Sequence, residues 1–336
     1  MTGVATVVHF TDTHLLADAA AALKSTVRPY SAMAAAAAAV AKEVPSPDAI
    51  LLTGDFTHDD TPEAYRAVAD IISDAFGVPP DAAPGVRAPL VLAVPGNHEN
   101  LDVLEQVFVR ERGFTVGLRD RCVAVAVKHW DVLLIDSHVP GEIYGAVSDE
   151  KVVWLRAALA HDPGRPKLLA LHHPPLTPEP RTADNTWTDM CLRDGRDALL
   201  DIMWPLADSD SPDAASKTAA AEPLPGVSRE DSTLKHPGGG LRLLLHGHLH
   251  MDLRYERRNA GRGPARGDTE PVQLCTPATC HQHQRTNWEV GQKRKHGARV
   301  LRLAPDGSVD EKVVWASEAH GIDGAGKPTV EPVDDA

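Results

Sequence analysis

Cysteine is scarce in this chain, at four in 336 residues. That excludes a secreted scaffold built on disulfides and makes a reducing compartment the simpler expectation. Basic residues are outnumbered, 34 Lys and Arg against 47 Asp and Glu, for a formal charge of −13. The acidic balance argues against binding a long nucleic-acid track through a basic face. Long apolar runs are missing. The longest uncharged one, residues 32–41, is about half of the roughly 20 residues a membrane span needs. The first residues show neither a basic n-region nor an apolar h-region, so the expectation is a cytoplasmic chain with no secretion signal and no membrane span. Aromatics are also few, with 6 Trp, 4 Tyr and 5 Phe against 17 His. The rest of the composition, 43% apolar and 24% charged, is that of a globular protein long enough to bury a full core. The histidine excess is therefore the feature to explain, since imidazole is the commonest metal ligand and the usual neutral-pH acid or base.

Short apolar segments at residues 6–11, 48–53 and 90–94 predict strands. Helical patterns at 31–44 and 62–76 lie between them, the second with Thr61 as N-cap before Pro62. This alternation points to an α/β fold. Further strands are predicted at 122–127, 132–136, 166–171, 241–245, 272–275 and 298–303. After a turn at Pro305-Asp306-Gly307, a last one is predicted at 313–315. Helices are predicted at 148–160, capped by Ser148, and at 192–204, stopped by Pro205. Residues 207–240 have no periodic pattern and predict an inserted flexible or lid segment within a single domain of residues 1–316. Residues 317–336 read as a polar tail.

Five short blocks follow predicted strands: Asp12-Thr13-His14, Gly54-Asp55, Gly96-Asn97-His98-Glu99, His172-His173-Pro174-Pro175 and Gly247-His248-Leu249-His250. Binding residues in open α/β sheets gather at the carboxyl ends of strands. If these segments are extended, Asp12 with His14, and His248 with His250, each aim two side chains at one place. Asp12, His14, Asp55, Asn97, His172, His248 and His250 are too many N/O ligands for one tetrahedral ion and suit two. With imidazole and carboxylate but no thiolate, Zn, Mn or Fe is favoured over Ca or Mg. Two such ions activate a bridging hydroxide for in-line attack at phosphorus.

The series D-x-H, G-D, G-N-H-[DE], H-x-P, G-H-x-H, in that order, resembles the calcineurin-like metallophosphoesterase superfamily. The resemblance implies a four-layer α/β/β/α sandwich. It implies that Asp12, His14 and His250 hold one metal, Asn97, His172 and His248 a second, and that Asp55 bridges both. His172 is preferred to His173 because the family ligand stands two residues before the proline. His98 is implied as a non-ligand that stabilises the transition state or protonates the leaving oxygen, so the catalytic set is His98 with Asp55 and Asn97. Residues 136–141 (DSHVPG), Trp154-Leu155, Trp187-Thr188-Asp189 and residues 277–282 (PATCHQ) are similar to segments of the bacterial cyclic-nucleotide and glycerophosphodiester phosphodiesterase branch. Two departures stand out. Glu99 takes the place of the usual Asp, an exchange expected to be mild, and the 207–240 segment lengthens one connection.

The implied activity is a dinuclear metal-dependent phosphodiesterase acting on a small phosphodiester, a cyclic nucleotide or a glycerophosphodiester. The alternatives are a phosphomonoesterase on nucleotides or phospholipid head groups, and a non-catalytic metal-stabilised scaffold; assembly as a homo-oligomer is open. His173 and His246 read as supporting or packed residues and His9 and His58 as structural or solvated ones. His281 and His283 are candidates for the pocket rim. Cys275, Cys280, His281 and His283 match no usual zinc spacing and read as buried thiols with nearby imidazoles. The basic run at residues 293–296 reads as a solvated turn.

Overall fold

The computed structural model describes residues 3–23, 28–78, 89–177, 190–205, 240–261, 270–280 and 295–317. The predicted insert up to residue 239, the predicted tail beyond Ser317, and Trp187, Thr188, Asp189, His281, Gln282, His283, Lys293 and Arg294 lie outside the described residues.

The first sheet has the order β14-β13-β1-β2-β3-β4. Its strands are β1 (Ala5–Phe10), β2 (Ala49–Thr53), β3 (Leu90–Val94), β4 (Thr115–Val116), β13 (Lys295–Leu303) and β14 (Val309–Ser317). β1 to β4 run parallel, and β13 and β14 close one edge antiparallel. The second sheet has the order β11-β12-β10-β8-β6-β5. It is built from β5 (Val123–Val127), β6 (Trp130–Leu134), β8 (Lys167–Ala170), β10 (Leu241–His246), β11 (Leu253–Tyr255) and β12 (Val272–Cys275). Its four inner strands are parallel, with antiparallel β5 and β11 at the edges.

Side-chain alternation along the strands assigns the layers. Val7, Leu51 and Leu92 on the first sheet and Val132, Leu168 and Leu243 on the second share one buried cluster between the sheets. Val8, Ile50 and Leu52 face the other way. They pack with Met33 of α1 (Pro29–Glu43), Tyr65 and Ile72 of α2 (Pro62–Phe76), and Phe108 in the helical segment that starts with α3 (Leu101–Leu104). Leu133, Leu169 and Leu244 pack on the opposite side with Leu155 of α4 (Asp149–Ala160) and Leu199 of α5 (Arg196–Met203). Three buried layers between four layers of secondary structure make an α/β/β/α sandwich.

Helix starts follow their caps. Thr61 Oγ1 accepts from the Ala64 amide and Ser148 Oγ from the Lys151 amide, which satisfies donors the first turn leaves open. Two expectations need correction. Residues 192–204 are not one helix. Leu192–Asp194 form β9, which pairs with β7 (Gly145–Ala146); Gly195 turns at φ 76°, and only then does α5 begin. The left-handed turn at Gly195 breaks a pattern whose apolar spacing reads as continuous. His296 does not sit in a solvated turn either. It is buried on β13, whose pairing with β14 extends from Lys295 to Ser317.

Candidate metal centre

The five blocks follow β1, β2, β3, β8 and β10, three from the first sheet and two from the second. The cluster therefore straddles the inter-sheet seam. Local backbone differs from the extended form expected for the paired motifs. Asp12, His14, Asp55, His248 and His250 all have positive φ, between 45° and 69°. Asp and His tolerate this left-handed region better than most residues, yet each such turn costs on the order of 1–3 kcal/mol. Backbone ties hold it in place. The Asp12 amide donates to Gly54 O at 3.0 Å and the His14 amide to Asp55 O at 2.9 Å. The His248 amide donates to both carboxylate oxygens of Asp12, at 3.1 and 3.0 Å, and so crosses from one sheet to the other. Two glycines permit the close approach. A Cβ on Gly96 would lie within 3 Å of Asp55 Oδ1 and His172 Nε2, and one on Gly247 within 3 Å of Asp12 Oδ2.

Donor atoms of Asp12, His14, Asp55 and His250 all fall within 4.8 Å of one another and could hold a metal ion. In this group His250 Nε2 lies 3.1 Å from Asp12 Oδ1, and His14 Nε2 lies 3.3 Å from His250 Nε2. A second set brings together His172, His173 and His248, with His172 Nε2 at 3.1 Å from His248 Nδ1. Asp55 faces both sets. Its Oδ2 lies 3.7 Å from His14 Nε2 and its Oδ1 3.5 Å from His172 Nε2. Asn97 stands apart from these contacts: its Oδ1 is buried with no hydrogen-bond partner among the described residues.

Asp12 and Asp55 are buried, and no Lys or Arg among the described residues pairs with either. Burial opposes their ionisation, but the imidazoles around them, His250 at Asp12 and His172 at Asp55, pull both pKa values below the usual carboxylate range. The reciprocal effect falls on the histidines. Burial disfavours a charged His172, yet Asp55 and Asp12 outweigh it and lift its pKa to about 10; His250 is raised by Asp12 in the same way. Burial leads at His14 and His248 and lowers both to about 3. Two buried carboxylates that pair, among the described residues, with imidazoles and no Lys or Arg form a donor set suited to metal cations. The Asn97 oxygen, without a hydrogen-bond partner among the described residues, is a neutral oxygen donor that could join such a set.

Glu99 joins two of the loops that carry the site. Its side chain is buried and accepts from three backbone amides, those of Asp55 at 3.0 Å, Phe56 at 2.6 Å and Gly96, so it ties the loops after β2 and β3 together. Burial and the Asp55 charge push its pKa to about 8. The His98 amide donates to Asp55 Oδ1 at 3.1 Å, and its ring meets His14 edge-on with centroids 5.0 Å apart. His58, expected to be structural or solvated, stacks on His98 at 5.8 Å; its place three residues after Asp55 is the one signal that could have found it.

His173 hydrogen-bonds Ser137 Oγ through Nδ1 at 2.9 Å while its Nε2 is buried without a hydrogen-bond partner among the described residues, and His246 bonds Gly247 O and Gln273 as a supporting residue does. His9 is structural too: it links Thr53 Oγ1 at 2.7 Å to Thr276 Oγ1 at 2.6 Å, a contact between the sheets that no motif announces. Cys275 and Cys280 are free and buried, and burial raises both thiol pKa values well above normal.

A 3′,5′-cyclic-nucleotide phosphodiesterase from Nostoc sp. is 25% identical over 315 residues, covering 91% of this chain and 91% of its own length. A 3′,5′-cyclic adenosine monophosphate phosphodiesterase from Escherichia coli K12 is 31% identical over 170 residues, 51% of this chain and 55% of the relative. A protein from Arcobacter nitrofigilis named as a probable glycerophosphodiester phosphodiesterase is 27% identical over 161 residues, 47% of this chain and 52% of the relative. The family profile described as Calcineurin-like phosphoesterase matches residues 5–252, a span that opens with β1 and closes just past His250. With all five strand-end blocks inside that span, the chain belongs to the calcineurin-like phosphoesterase family and is a metal-binding hydrolase of phosphoric esters.

Proposed function

We propose that the chain is a dinuclear metal-dependent phosphodiesterase acting on a small diester, a cyclic nucleotide or a glycerophosphodiester. The observation that carries this reading is the position of Asp55, whose two carboxylate oxygens face different imidazole sets, Oδ2 toward His14 and Oδ1 toward His172. Asp12, His14, Asp55 and His250 would hold one ion, and Asp55, Asn97, His172 and His248 the other. Zn, Mn and Fe suit this donor set. When bound, the ions supply Lewis-acid polarisation of the phosphoryl oxygens and a nucleophile at neutral pH. The chain's own residues do the rest. Asn97 and His98 line one wall of the cleft that opens beside the centre and receive the phosphoryl group there. His98, anchored by its amide on Asp55, hydrogen-bonds the leaving oxygen and can pass it a proton.

The diester preference draws on the printed activities of the relatives, above all the Nostoc protein that matches over nine-tenths of both chains. Four free cysteines fit the reducing cytoplasm expected from the sequence, and no helix among the described residues is long and apolar enough to cross a membrane. The test is a panel of diesters, cyclic nucleotides and monoesters, run after loading with Mn, Zn or Fe. Diester turnover that falls to background in Asn97→Ala and His98→Ala is the expected result. Wild-type rates in both variants would overturn the site, and a preference for monoesters would overturn the substrate class.

A further inference from the structure

Two side-chain atoms of the residues that line the cleft are buried with no partner among the described residues: Asn97 Oδ1 and His138 Nδ1. The first belongs to a proposed metal ligand. His138 does not, and a buried polar atom without a partner calls for an explanation of its own. Its Nδ1 makes no hydrogen bond to the described residues, so no protein contact at that atom fixes its protonation, and it can serve as a donor or an acceptor.

The backbone beneath it is nonetheless firmly held. Asp136, just past β6, accepts the His138 amide on Oδ1 at 2.7 Å and the Arg119 amide on Oδ2 at 2.6 Å. Lys151 of α4 donates to the Asp136 carbonyl at 2.8 Å. The frame around Asp136 thus places the imidazole and leaves Nδ1 without a protein partner among the described residues. Pre-positioned groups of this kind lose little freedom when a ligand binds.

His138 lines the same cavity as Asn97 and His98. That cavity, about 520 Å³, is within the size range of small-molecule sites. With the phosphoryl group at Asn97 and His98, one half of the ester would share the cavity with the other lining residues, His138, Pro140 and Arg119 among them. Asp60, Asn100 and Asp102 also border it, and imidazole is the only aromatic ring among the described lining residues. Such walls suit hydroxyl groups better than an aryl ring.

We propose that His138 is a specificity-determining residue that hydrogen-bonds a hydroxyl-bearing alcohol half of the substrate, glycerol or pentose, inside this cavity. The proposal rests on the phosphoesterase reading of the site and adds the recognition of what phosphorus is esterified to. Kinetics of His138→Ala and His138→Gln on a glycerophosphodiester, a cyclic nucleotide and bis-(p-nitrophenyl) phosphate test it, with metal content measured alongside. One lost hydrogen bond should lower kcat/KM of His138→Ala on a hydroxyl-bearing substrate about tenfold, chiefly through KM. Bis-(p-nitrophenyl) phosphate, with no hydroxyl to recognise, should change less than about threefold, and His138→Gln should recover part of the loss. The arm that suffers, glycerol or nucleotide, tells which alcohol is bound. Equal losses on all three substrates, or none, would overturn the proposal.

A second measurement keeps the question open to refutation if the wild-type protein cleaves no diester. Calorimetric titration of the metal-loaded protein with glycerol 3-phosphate, ribose 5-phosphate and inorganic phosphate should show tighter binding of one of the two esters. That preference should vanish in His138→Ala. A preference that survives the substitution, or none in the wild type, would overturn the role of His138, whereas absent diester turnover alone counts only against the diesterase reading.

Discussion

His172 Nδ1 and the carbonyl of Thr53 meet at 2.7 Å, joining a residue just past β8 of the second sheet to the last residue of β2 in the first. A carbonyl only accepts, so Nδ1 carries the proton and Nε2 is the atom left to face Asp55 and His248. One hydrogen bond thereby fixes both the tautomer and the aim of a proposed ligand, as outer partners of metal-bound histidines do. His172→Ala is expected to lower bound metal by about one equivalent of two. It should reduce diester hydrolysis by more than the roughly 10–100-fold typical of losing an outer partner alone. Elemental analysis beside the rate checks both halves of the expectation.

Glu99 binds three amides that would otherwise be buried and unpaired, those of Asp55, Phe56 and Gly96. An unsatisfied buried donor costs about 1–3 kcal/mol, so Glu99→Ala should destabilise the fold by about 3 kcal/mol or more and loosen the Asp55 loop. Urea unfolding of the metal-free protein isolates the first effect, and metal content of the loaded protein reports the second. Unchanged stability would mean that water replaces the carboxylate without loss.

Much of the site was legible because its chemistry sits in short blocks directly after strands, and strand ends are where an α/β fold gathers function. The helix caps at Thr61 and Ser148 were legible for the same reason: each depends on residues a few positions apart. What stayed hidden depends on distant contacts. The left-handed turns at Asp12, His14, Asp55, His248 and His250 are stabilised by ties between loops, and nothing in a D-x-H pattern announces them. The short strand β9 exists because Gly145 and Ala146, far back in the sequence, lie beside it. The role of Glu99 was equally hidden, because the three amides it serves come to it from two separate loops.

Gly96 sets how closely the loops can approach. A methyl there would overlap Asp55 Oδ1 and press on His172 Nε2. Gly96→Ala should therefore displace the carboxylate proposed to serve both ions. Since the clash is local, the protein should remain folded by circular dichroism while bound metal drops below about half its normal content. A variant with full metal content and full activity would show that the loops can separate without harm.

The cysteines give a pH-dependent readout that does not rely on turnover. Cys122 is half-buried, and burial lifts its thiol to about 11. Cys275 and Cys280 are fully buried and raised further, and Cys191 is also buried. The thiolate is the reactive form, so a raised pKa means slower reaction at neutral pH, with a rate that grows about tenfold per unit as pH rises toward the pKa. Folded protein at pH 7 is expected to react with a thiol reagent such as dithionitrobenzoate far more slowly than a free cysteine, Cys122 first. All four should react promptly once the chain is unfolded in guanidinium.

Arg299 closes the polar network beneath the centre. Buried on β13, it donates to Thr276 Oγ1 at 3.3 Å and to the Cys275 carbonyl at 2.8 Å, and it pairs with Asp252 at 2.5 Å and with Glu311. Thr276 in turn holds His9, which holds Thr53, so the chain of contacts ends at the strand that orients His172. Removing one partner of a buried pair costs about 3–5 kcal/mol, and because Asp252 and Glu311 are partly exposed the lower part of that range applies. Arg299→Met should thus lose about 3 kcal/mol in urea unfolding. Because the network also carries position, metal affinity should weaken in the same variant, whereas a purely structural network would lower stability and leave metal affinity at the wild-type value.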